Sequence, residues 1–137
     1  MRSRTRVGAF LVVALLAVAG TIRGDASPVR QSAVVWLKEP TLIVSTIVEG
    51  PVLFVHDADK MRRGEPCTTV YLWLPDKGKD EEVASFHCVP THRAATGRFI
   101  VRTRPNLELG YGCVLSEYQF AGDPEGHAVP SPPKMTD

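Results

Sequence analysis

Seven short runs of β-branched and aromatic residues, separated by turn formers, constrain this chain more than any other feature. They are Ala33–Leu37, Thr41–Val48, Pro51–His56, Cys67–Leu74, Val83–Val89, Arg98–Thr103 and Cys113–Phe120. Helical spacing of apolar residues is not sustained between these runs. The pattern therefore predicts an all-β fold, a small antiparallel β-sandwich or barrel of about seven strands. Glu49-Gly50 reads as a tight turn into Pro51, which can open a strand because a first residue need not donate to the ladder. Asp57–Pro66 reads as an exposed polar loop.

The N-terminus sets the compartment. Arg2, Arg4 and Arg6 precede a 14-residue apolar run, Val7–Gly20. A cationic start, a short apolar stretch and small residues at its end describe a secretory signal peptide. A spanning helix needs roughly 20 apolar residues, so no membrane span is expected after cleavage. Ala17-Val18-Ala19 and Gly24-Asp25-Ala26 are both suitable cleavage sites, which places the cut near residue 19 or 26. The expected organisation is a signal peptide over 1–26, a β-domain over 27–120 and a flexible Pro-rich tail over 121–137. That tail holds four of the 11 prolines.

Charge excludes one class of partner. The first 26 residues hold four of the 16 Lys and Arg and one of the 15 Asp and Glu, leaving a net charge of −2 on residues 27–137. Such a domain is not a basic nucleic-acid binder. The expected destination is the periplasm or the medium. The expected partner is a protein or another component of the bacterial envelope.

In an oxidising compartment Cys67, Cys88 and Cys113 predict one disulfide and one leftover thiol. A two-residue turn at Lys77-Gly78 would place Leu72 opposite Val83 and Cys67 opposite Cys88, a non-hydrogen-bonded pair about 4.5 Å apart between Cα atoms. A bridge there would contribute roughly 3 kcal/mol and leave Cys113 as the free thiol. A longer loop shifts the register, and Cys88–Cys113 or Cys67–Cys113 are the rival pairings.

Other residue groups admit both a chemical and a structural reading. His56, Cys67, His87 and Cys88 have the chemistry of a soft metal site. Their spacing is poor, because adjacent His87 and Cys88 would point to opposite faces of a strand. Structural cysteines and surface or capping histidines are the expectation, with no cofactor. Asp57, Asp59 and Glu65 could offer oxygen ligands to calcium, but Met61 and Arg62 stand where the EF-hand pattern is specific. An Asp at a strand end more often makes a local turn hydrogen bond. Ser85 and His87 share a face without an orienting acid, so no catalytic residue is expected. Tyr71, Trp73 and Phe86 could stack on a sugar, although aromatics at period two are more often core. Asp57, Asp59, Lys60, Arg62, Arg63 and Glu65 make the preferred contact loop, with residues 90–97 second.

Gly50-Pro-Val-Leu-Phe-Val-His-Asp57, Gly64-Glu-Pro-Cys67 and Ser85-Phe-His-Cys88 resemble segments of small exported bacterial β-proteins. The resemblance spans residues 41–90 and implies an exported β-domain, without implying a substrate or cofactor. The functional expectation is an exported, non-enzymatic binding or structural module of the cell envelope. The alternative is a metal-binding or redox protein using His56 and Cys113 or another thiol.

Overall fold

A computed structural model describes residues 29–78 and 80–134. The expected leader and its expected cleavage sites lie outside the described residues, as do Lys79 and the last three residues. The described chain is nearly all β, as the strand pattern predicts. Its strands are β1 (Arg30–Ile43), β2 (Thr46–Asp57), β3 (Thr68–Leu72), β4 (Glu81–Phe86), β5 (Val89–His92), β6 (Ile100–Pro105), β7 (Cys113–Gln119) and β8 (Glu125–Ala128). They form one mixed sheet in the order β4-β3-β2-β1-β7-β8-β5, with β6 paired to β7. The sheet curls into a half-barrel.

The curl follows from one short connection. β4 and β5 stand at opposite ends of the sheet order, yet only His87 and Cys88 join them. Extended chain reaches about 3.3–3.6 Å per residue, so the two ends must approach each other closely. The seam they form holds the candidate site.

Two turns differ from the expected ones. The β1–β2 hairpin turns at Val44-Ser45, between paired Ile43 and Thr46, and not at Glu49-Gly50. Val44 has φ 56, a conformation unusual for a β-branched residue, so no turn signal marks the spot. Gly50 instead pairs with Leu37 inside a continuous strand, next to a register shift between Leu37 and Thr41. The β3–β4 connection is also longer than two residues. A short 3-10 turn, Pro75–Lys77, precedes Gly78. Thr68 consequently faces Phe86, and Leu72 faces Glu81 rather than Val83.

Alternation along the strands builds the core. Val48, Val52, Phe54 and His56 share one face of β2, and all four are buried. Thr68 and Val70 continue that face on β3. In β7 a bulge changes the parity: Arg102 pairs with Glu117 but Thr103 pairs with Leu115, leaving Ser116 extra. The bulge lets Leu115 and Tyr118 both join the core. Phe54, Phe99, Tyr118 and Phe120 then pack with centroids 5.1–6.2 Å apart. Each fully buried aromatic contributes roughly 2 kcal/mol or more through burial.

Part of the segment read as a flexible tail is structural. Glu125–Ala128 forms β8, which pairs with both β5 and β7. Its four residues lie between prolines at 124 and 130 and are too short to show a periodic signal.

Candidate metal centre

Two strands and two connections bring four side chains to the seam. His56 comes from the core face of β2, and His127 from β8. Cys67 immediately precedes β3, and Cys88 lies in the two-residue link between β4 and β5. All four are buried, with His56 3% and His127 1% exposed. These two histidines are therefore not surface or capping groups, contrary to the sequence expectation. Packing overrides the polarity of the imidazole because each ring lies on the core side of its strand.

Ligating atoms of His56, Cys88 and His127 all lie within 4.8 Å of one another. Cys88 Sγ is 3.6 Å from His127 Nδ1. The two imidazole centroids are 4.2 Å apart. Cys67 Sγ lies 2.6 Å from Cys88 Sγ, and both cysteines are free thiols. The Cys88 backbone N–H donates to Cys67 Sγ at 3.2 Å. The expected Cys67–Cys88 disulfide is not formed, although the two sulfurs are neighbours, brought together through a different register and a backbone contact. The β3–β4 pairing ends at Thr68 and Phe86, so Cys88 approaches Cys67 from the link rather than from a paired strand.

Both nitrogens of His56, and Nε2 of His127, are buried without a hydrogen-bond partner. Buried polar atoms are nearly always paired, and leaving one unpaired costs about 1–3 kcal/mol. Three such atoms in adjoining rings need a physical reason. Burial, chiefly, lowers the His56 pKa, against the pull of Asp123 and Asp57. Burial and then neighbouring His56 bring His127 down to about 4. Both rings are therefore neutral at pH 7 and carry lone pairs. Burial pushes the Cys88 thiol up to about 12, assisted by its hydrogen bond with Cys67. A thiol in such surroundings ionises when a cation replaces its proton.

The surroundings fix these rings. Tyr118 stacks on His127 with centroids 4.9 Å apart and an interplanar angle of 21°. Its hydroxyl is hydrogen-bonded with Thr68 Oγ1, tying β7 to β3 across the curl. Burial raises the Tyr118 pKa, so the phenol stays neutral. A tetrahedral zinc with Zn–N about 2.0 Å and Zn–S about 2.3 Å separates nitrogen and sulfur donors by about 3.5 Å. The Cys88–His127 spacing of 3.6 Å matches that value.

The alternative pairing of His56 with Cys113 is not formed. Cys113 begins β7, where its buried Sγ is 3.3 Å from Thr41 Oγ1, and it takes no part in the His–Cys group. His87 is exposed while Cys88 is buried, as opposite-facing neighbours should be. The residue that sequence reasoning missed is His127, because it lies in the short strand assigned to the tail.

The contact loop is more ordered than its composition suggests. Ala58–Arg62 is a single helical turn, and Asp57 caps it by accepting hydrogen bonds from the backbone N–H groups of Asp59 and Lys60. That local bond at the strand end is the behaviour expected of an Asp there. Arg62 pairs with Asp59 at 2.6 Å, and Arg63 with Glu65 at 3.0 Å. The charges are thus largely spent within the loop. Phe86 faces the core, whereas Trp73 and Trp36 are exposed on the outer face, at 37% and 66%. Among the described residues, no helix is long and apolar enough to cross a membrane. Neither a protein-family model, nor a curated protein, nor a solved structure matches this chain.

Proposed function

We propose that this chain is an exported β-domain that binds one soft transition-metal ion, zinc or copper(I). His56, Cys88 and His127 supply the donors. The carrying observation is the set of three buried ring nitrogens without partners beside a buried sulfur. Imidazole and thiolate donors together suit zinc and copper. The leader-like N-terminus supports export. The closed aromatic surroundings favour tight holding over catalysis, since a catalytic metal keeps a position open to substrate.

The test is metal analysis of the purified, reduced protein, with His56→Gln and His127→Gln alongside. One equivalent of metal is expected in the parent protein. Either substitution should weaken binding by about 100-fold or more. A reduced, folded protein that takes up neither zinc nor copper(I), and whose melting temperature neither metal raises, overturns the reading.

A second reading, as a recognition module of the envelope, is favoured by the outer face. Val34, Trp36 and Trp73 are exposed around Pro51 there. Exposed tryptophans of this kind are suited to stacking on sugars or on a protein partner. Titration with soluble cell-wall fragments should quench tryptophan emission if this face is used. Unchanged emission in the parent protein and in Trp36→Ser counts against it.

A further inference from the structure

We propose that Cys88 serves two mutually exclusive partners, so that the site is held either as a metal centre or as a Cys67–Cys88 disulfide. The proposal rests on the metal reading above and adds how that site is controlled. The geometry behind it is a shared atom. Cys88 Sγ faces His127 Nδ1 at 3.6 Å on one side and Cys67 Sγ at 2.6 Å on the other. The Cys88 N–H bond to Cys67 Sγ keeps the second sulfur in place. A metal takes the Cys88 thiolate as a ligand. A disulfide consumes that thiolate, and only two neutral imidazoles remain to hold the cation.

The exchange balances with a small-molecule disulfide as oxidant. One cysteine thiolate attacks the small disulfide, breaking its S–S bond and releasing the first small thiol. The other cysteine then attacks the mixed disulfide, forming the Cys67–Cys88 bond and releasing the second small thiol. Two electrons pass from the protein sulfurs to the oxidant. The protons of the two protein thiols end on the two released thiols. Both sulfurs are buried, which makes the exchange slow in the folded protein.

The experiment loads the reduced whole chain with one equivalent of zinc and adds oxidised glutathione. Bound zinc is followed with a chromophoric chelator, and the sulfurs by non-reducing peptide mass mapping. One zinc ion should be released for each Cys67–Cys88 bond formed. The pre-oxidised protein should bind zinc about 100-fold more weakly than the reduced one. Cys67→Ser should keep its zinc under the same oxidant. Full zinc retention alongside a complete disulfide overturns the proposal and leaves the metal reading standing. So does release of zinc from Cys67→Ser. A reduced protein that binds no zinc or copper(I) overturns both.

Discussion

Glu117 shows how this domain tolerates a charge in its interior. Its carboxylate is 6% exposed and accepts hydrogen bonds from Thr91 Oγ1, Arg93 and Arg102. Burial alone would raise its pKa, but the bonds from Arg93 and Thr91 and the charges of Arg93 and Arg102 outweigh it and hold the pKa below the ordinary value. A carboxyl whose folded pKa is depressed contributes stability that is present above the unfolded value of about 4.3, and that is lost as pH falls through the folded pKa. Urea unfolding of the parent protein and Glu117→Gln should therefore differ most above about pH 4.5, and the difference should shrink towards pH 3. A constant gap across that range would contradict this role. Gly112 is a second residue with a distinct job. It has φ 69, and a Cβ placed there would lie 2.3 Å from the Pro40 carbonyl oxygen, beside the parallel Thr41–Cys113 pairing. Gly112→Ala should cost about 3 kcal/mol or more, read from the unfolding midpoint. Gly122→Ala, with a positive φ but open space, should cost less.

The strands divide into those whose pattern announced them and those whose context made them. Residues 51–56 and 68–72 carry the β-branched alternation of half-buried strands, and both lie within strands. The Val44-Ser45 turn escaped notice because neither residue favours a positive φ, while Glu49-Gly50 supplied a stronger but misleading turn signal. β8 escaped because its apolar content is negligible. What it offers is Gly126, whose missing Cβ leaves room for Thr91 and Glu117, and His127, which stacks on Tyr118. Composition ranks such a segment with disorder, and only the neighbouring β5 and β7 give it a place. The same gap hid the candidate centre. His56 and Cys88 stood out as chemistry, but their third partner lay 39 residues beyond Cys88 in sequence and came into range only through the curl. Ending the chain after Asp123 should abolish metal binding and lower the melting temperature markedly, by loss of the β5 and β7 pairings as well as of His127. A truncated chain that melts like the parent would show β8 to be dispensable.

As a whole, the described chain is a sheet whose ends are drawn together by a two-residue link, with His56, Cys67, Cys88 and His127 gathered where they meet. The all-β class followed from the turn-bounded runs. Closure did not, because it depends on which strands lie at the ends of the sheet, and pairing order is not written in local periodicity. Closure is also what buries the donors, so metal binding and folding should be coupled. Saturating zinc should raise the melting temperature of the reduced protein, and should have little effect on His127→Gln. The most direct measurement is anomalous diffraction at the zinc edge from crystals of the reduced protein grown with zinc. A single strong peak is predicted about 2.0 Å from ring nitrogens of His56 and His127 and about 2.3 Å from Cys88 Sγ. Zinc bound only at surface carboxylates, with both buried rings left without it, would contradict the assignment.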